Sequence, residues 1–268
     1  MPLEGDVFYL IDHRLLALTM VGVLLAACEI GYRLGLARSG APESLRALIN
    51  GIGGAMLGIL GLLLGFALSM VIARWDTRGD VISDEANAIG TLSLRAGLLE
   101  KPLREELRDG LLSYTDARIV LGRVRDDPDA LRMAQLESER LHVVIWSVIE
   151  SANRPSTSNA TLASLIGSAN AMIDLHEARL SSLENHLPSA LFYLLLSLSA
   201  GAVAFLAWSF GAASHRGRTP MMLLAIFIGA VLLLIMDVNR PQRGSIKVGV
   251  VPLERVEKSL LQPRGSDE

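Results

Sequence analysis

Four long apolar stretches, two toward each end of the chain, dominate the alternation of hydrophobic and polar positions. They cover residues 15–32, 52–73, 189–213 and 221–238. Crossing ~30 Å of hydrocarbon takes about 20 predominantly apolar helical residues. Lipid offers no partner to a free backbone N–H or C=O, so a stretch that crosses alone must be a helix. The second and third stretches carry no charge, Glu29 falls near the end of the first, and Asp237 marks the edge of the fourth. Arg14, Arg33, Arg74, Arg216 and Arg240 stand just outside these spans, where their side chains reach the headgroups.

Between the pairs the pattern becomes amphipathic. Pro102 opens a segment with apolar residues at Leu103, Leu107, Leu111 and Tyr114, at helical spacing. Asp127 and Pro128 form a cap followed by a first-turn proline. Leu131, Leu141, Val144, Ile145 and Val148 continue that helix, and residues 153–159, rich in Ser/Thr around Pro155, predict a loop. A last helix follows through Leu162, Leu165, Ile166, Met172, Ile173, Leu180 and Leu183. No alternating strand pattern or hairpin dipeptide occurs. The expected fold is all-α: four transmembrane helices in two pairs flanking an extramembrane helical bundle. The expected divisions are an N-terminal segment 1–14, a first pair 15–73, a helical domain 74–188, a second pair 189–238 and a tail 239–268.

Composition sharpens this picture. Of 268 residues 51% are hydrophobic but only 5% aromatic, so the apolar mass is aliphatic, as suits lipid-facing helices. The net charge of −3 gives no footing for nucleic acid. Residues 74–188 hold 13 basic and 18 acidic side chains, a formal charge of −5. The short loops carry Arg33, Arg38, Arg46, Arg216 and Arg218 against Glu43. The positive-inside rule read strictly puts these loops in the cytoplasm, but both sides are basic and the sequence leaves orientation open. The opposite side carries Arg14, Arg74, Arg78, Arg240, Arg243 and Lys247. Four spans put both termini and the polar domain on one side. The lone cysteine, Cys28, ends a Leu-Ala-Ala-Cys run that resembles a lipoprotein cleavage box, but Glu4, Asp6 and Asp12 in the preceding region argue for a buried apolar role instead.

Three sets of residues invite a functional reading. Gly54, Gly58, Gly61, Gly65 and Ser69 share one face of the second span. Glycine costs about 1 kcal/mol against alanine in a helix interior, so the stripe needs a reason. Close helix packing is one, and a pore-lining or subunit-facing backbone is the other. Asp84, Asn87, Thr91 and Arg95, with Glu85 beside them, form a polar ladder: a seam that fixes helix register, or an ion-facing vestibule. Asp237, Arg240, Pro241 and Gly244 close the fourth span, with Asp237 placed to pair with Arg240 or Arg243. No enzyme is expected. His176 and Glu177 begin like a zinc-protease helix, but Leu180 stands where the second ligand belongs. No nucleophile elbow, phosphate loop or metal spacing is present, and Asp126, Asp127 and Asp129 fit a helix start better than a calcium site. Neither metal nor cofactor is implied.

The run Gly61 to Phe66, followed by Arg74-Trp75-Asp76, Asp84-Glu85-Ala86-Asn87-Ala88-Ile89-Gly90-Thr91 and Leu94-Arg95, resembles the bestrophin-like domain family of bacterial membrane proteins. The stretch from Asp237 to Gly244 resembles that family's closing motif. The resemblance implies a multi-pass protein of the cell membrane, the inner membrane of a bacterium, assembled as a homo-oligomer, a pentamer if it follows bestrophins. It also implies an ion channel, with membrane lipid and inorganic ions as partners, and an apolar neck on the second helix. That neck would fall among Leu57, Leu60, Leu64 and Phe66. The competing reading is a non-conducting membrane scaffold or sensor whose helical domain binds a partner.

Overall fold

The computed structural model describes residues 13–38, 40, 42–124, 127–213, 217–240 and 246–262. All regular structure among them is α-helical. In chain order the helices are α1 (His13–Leu36), α2 (Glu43–Ala96), α3 (Lys101–Arg123), α4 (Pro128–Ser151), α5 (Asn159–Glu184), α6 (Ser189–Ala213), α7 (Arg218–Val238) and α8 (Val251–Leu261). Four of the apolar runs are long enough to cross a membrane, and they fall in α1, α2, α6 and α7.

The chain forms two compact units. The first takes residues up to Arg74 together with 186–246. Here α1 packs along α6 most extensively, and both pack on α7. One stripe of α1, Leu16, Met20, Leu24, Cys28 and Tyr32, is buried at four-residue spacing, and the Cys28 thiol is free and enclosed. The α1–α6 contact is set by glycine. A Cβ on Gly31 would lie 2.1 Å from the Ala204 carbonyl oxygen, one on Gly35 2.1 Å from that of Trp208, and one on Gly211 2.3 Å from that of Tyr32. No real Cβ tolerates such distances, so the two backbones approach only because these side chains are absent. Outward positions of this unit are apolar, with Leu18 73% and Phe227 68% exposed, as a surface immersed in acyl chains requires.

The second unit comprises 75–185 and the residues from Lys247 on. Here α3 packs on α4 and α8, and α4 on α5. Leu107, Leu111, Tyr114, Ile145, Ile149, Leu165 and Met172 are its fully buried centre. Asp127 caps α4, its carboxylate accepting from the Asp129 and Ala130 amides, and Ser158 caps α5 by accepting from the Thr161 amide. Arg108 donates to the carbonyls of Leu260 and Gln262, satisfying the C-terminal end of α8. Arg78 does the same for α5, donating to the Ser182 and Asn185 carbonyls, each at 3.1 Å.

Helix bounds differ most at α2, which runs 54 residues, well beyond the apolar run 52–73 at both ends. Residues 43–51 supply Glu43 in the first turn and good helix formers, so Arg46 lies within the helix and outside the preceding loop. After Ala73 no proline or cap interrupts the chain until Gly97, and the helix continues through the polar segment. The two units divide along the sequence at Arg74/Trp75, one residue from the expected 73/74, within one unbroken helix. Part of the tail, 247–262, belongs to the second unit.

Candidate functional site

The apolar part of α2 presents two different sides. Leu60, Leu64, Ala67 and Val71 are buried within their own unit, and Leu57 is half-buried. Gly54, Gly58, Gly61, Gly65 and Ser69 lie on the exposed side. A Cβ at any of the four glycines would meet nothing within 4 Å. Ile59, Leu62 and Phe66 stand beside this stripe, Phe66 at 62% exposure. Of the residues expected to form an apolar neck, then, only Phe66 points fully outward.

The polar continuation of α2 divides in the same way. Asp84, Asn87 and Thr91 are exposed, as are Asp76 and Asp80, at helical spacing along one side. Arg95 turns away from them and donates to the Ser164 carbonyl at 2.7 Å and to the Ser168 hydroxyl, which ties α2 to α5. Glu85 is fully buried. One residue of helix rotates a side chain by about 100°, enough to put Asp84 on the exposed side and Glu85 in the interior.

Glu85 is the centre of a buried polar network built from four helices. Its Oε1 accepts from the Tyr114 hydroxyl at 3.0 Å and from Arg118 Nε, and its Oε2 accepts from Arg179 Nη1 at 2.8 Å. Arg179 also reaches the Arg118 carbonyl at 3.4 Å. The Tyr114 ring lies 5.0 Å from that of His142, and His142 meets the His176 ring edge-on at 4.7 Å. Glu85 comes from α2, Tyr114 and Arg118 from α3, His142 from α4, and His176 and Arg179 from α5. All lie in the polar part of the chain, away from the four apolar runs.

The electrostatics follow from burial. Burial raises the Glu85 carboxyl, but the Arg118 and Arg179 charges and their hydrogen bonds outweigh it and hold it below the usual carboxylate range. Burial, then the Glu85 charge, pushes the Tyr114 phenol well above its ordinary value. Burial, then the Arg118 charge, lowers His142 to about 4 against the pull of Glu85. Burial, then Arg118, His142 and Arg179, lowers His176 to about 3, again opposed by Glu85. Both imidazoles are therefore neutral in the folded protein near neutrality. Unfolding restores their ordinary value near 6.5, so the unfolded chain gains protons first as pH falls. Their contribution to stability is complete above about 6.5 and is lost on acidification toward 4 and 3, and Glu85 adds in the same direction below its unfolded range. The melting temperature in detergent is expected to fall steadily from about pH 7 to about pH 5, with a shallower slope in His176→Gln; a flat profile in the unsubstituted protein contradicts this assignment.

Arg118, Arg179, Tyr114, His142 and His176 did not emerge from sequence motifs. A signal was present: Arg118 follows Tyr114 by four on the stripe Leu107, Leu111, Tyr114, and Arg179 follows His176 by three on a face begun by Met172. Polar residues on a core stripe mark a buried network.

Two members of the closing motif are structural clamps. The Asp237 carboxylate accepts from the Ile246 amide at 2.9 Å, and Asn239 Oδ1 accepts from the Leu187 amide at 2.9 Å, just ahead of α6. Arg240 is buried at 2% exposure. Pro241, Arg243 and Gly244 lie outside the described residues, as does Asp126. Among the described residues no group of three or more His, Cys, Asp or Glu side chains is placed to hold a metal ion.

These features define a multi-pass, all-helical membrane protein with a polar helical domain inserted between its spanning pairs. Residues 21–253 match the bestrophin-like domain, and the chain belongs to that family. No curated protein matches the sequence. Solved structures do share the fold. A point variant of a bacterial bestrophin homologue from Klebsiella pneumoniae aligns with a TM-score of 0.68 at 13% identity, over 89% of this chain and 97% of that one. A second variant of that homologue aligns with a TM-score of 0.60 at 17% identity, over 93% and 96%. A structure described as a membrane protein aligns with a TM-score of 0.67 at 15% identity, over 93% and 99%.

Proposed function

We propose that the chain is the subunit of a homo-oligomeric ion channel of the bacterial inner membrane, a pentamer, with α2 facing the other copies and the axis. The observation that carries this reading is the empty glycine face of α2. Four glycines on one side of a spanning helix meet nothing in their own chain, yet each weakens the helix by about 1 kcal/mol. A second copy, or a conduction path, supplies the missing reason. The family's kinship with bestrophins supports conduction rather than a passive scaffold. In this reading Phe66, with Ile59 and Leu62, belongs to the constriction or its rim, while Leu60 and Leu64 brace α2 from behind.

Selectivity follows from what lines the mouth. Asp76, Asp80 and Asp84 are exposed in a row on the outward side of α2, and repeated around a ring they concentrate cations. Purified protein in a planar bilayer is expected to conduct, and in Asp80→Asn/Asp84→Asn the reversal potential under a salt gradient is expected to shift toward anions. Silence over a range of pH and calcium, in protein of verified fold, sinks the channel reading and leaves the scaffold. An unshifted potential removes the acidic row from selectivity.

A further inference from the structure

The network around Glu85 is not electrically closed. Glu85 is 0% exposed, Arg118 0% and Arg179 3%. Two guanidiniums and one carboxylate leave one positive charge in excess in the interior of the second unit. Glu85 has already engaged both oxygens. It holds Arg118 through Nε alone, and the terminal nitrogens Nη1 and Nη2 of Arg118 have no hydrogen-bond partner. His142 Nε2 and His176 Nδ1 are buried and unpartnered as well. These groups are neighbours: the Arg118 guanidinium carbon is 5.9 Å from the Tyr114 ring centroid, and the Tyr114, His142 and His176 rings follow at 5.0 and 4.7 Å.

An uncompensated buried charge is costly, and a guanidinium with two unsatisfied nitrogens adds to that cost. Water would satisfy the hydrogen bonds but leave the charge. A carboxylate would remove both, but Glu85 is the one acid within this group. We propose that the unpartnered edge of Arg118, in the same buried network as His142 and His176, binds a small inorganic anion of the halide class inside the helical domain. Tyr114 belongs to the same buried core as Leu111, Ile145 and Met172, each at most 1% exposed, so a small monatomic guest suits the site better than a bulky one. Neutral imidazoles suit this role, since each offers one N–H and adds no further charge. The site does not depend on whether the protein conducts.

The test uses the full chain in detergent. Crystals grown with bromide as the sole halide are expected to show an anomalous peak beside Arg118 Nη1 and Nη2. At constant ionic strength, the melting temperature is expected to be higher in chloride or bromide than in gluconate, a bulky anion that cannot enter. Arg118→Lys, which keeps the charge but removes the guanidinium edge, is expected to abolish that difference. If the variant fails to fold, the bromide experiment on the unsubstituted protein still decides. An ordered water in place of an anomalous peak, together with equal melting temperatures in all three salts, overturns the proposal. So does bromide found only on the protein surface.

Discussion

Replacing Glu85 with glutamine is expected to destabilise the helical domain more than any other single polar substitution in the chain. The change is nearly isosteric, so packing of Leu111 and Ile145 is untouched. What changes is charge: Arg118 and Arg179 remain buried, 0% and 3% exposed, with no anion from the protein opposite them. Removing one partner of a buried pair costs about 3–5 kcal/mol. That compares with a total stability of about 5–15 kcal/mol for an ordinary domain. The variant is expected to melt at much lower temperature or to fail to accumulate. Replacing the three charged residues together by apolar ones of similar volume, Glu85→Leu with Arg118→Met and Arg179→Met, is expected to recover much of the loss. A single Glu85→Gln chain that melts like the parent would show the carboxylate to be dispensable.

Gly35→Leu and Gly61→Leu are expected to behave oppositely, although both put leucine on a glycine of a spanning helix. At Gly35 the first added carbon already falls 2.1 Å from the Trp208 carbonyl oxygen, and backbone cannot move aside as a side chain can. The cost exceeds the ~1–3 kcal/mol typical of overpacking, because α1 and α6 must separate. The protein is expected to misassemble into aggregates in mild detergent. At Gly61 the first added carbon meets nothing within 4 Å. The single chain is expected to fold normally, while the assembled form changes its subunit number or its conductance. Size-exclusion chromatography with circular dichroism separates the two outcomes. A correctly folded, unaltered assembly for Gly61→Leu would deprive that face of any role.

The membrane architecture was legible because lipid imposes a length that the apolar runs meet directly. Helix extent was less so: the pattern turns amphipathic after Ala73, and only the absence of a stop between Glu43 and Gly97 tells that a single helix carries on through it. The prominent glycine stripe on α2 drew attention as a packing signal. Within the chain the closest backbone approaches are at the quieter Gly31 and Gly35, against Ala204 and Trp208, and at Gly211, against Tyr32, far apart in sequence. The polar ladder mixed neighbours in sequence that are not neighbours in space, with Glu85 turned inward and Asp84 outward. Arg118, Arg179, His142 and His176 come from three different helices, so no local spacing joins them. Only their positions on core stripes hinted that they were buried.

The central claim is that the bare face of α2 meets other copies of the same chain. Native mass spectrometry of the protein in mild detergent counts those copies directly. The account predicts a ring, five subunits as in bestrophins, that Gly61→Leu disturbs. A monodisperse single subunit, with that face turned to detergent and lipid, would contradict it.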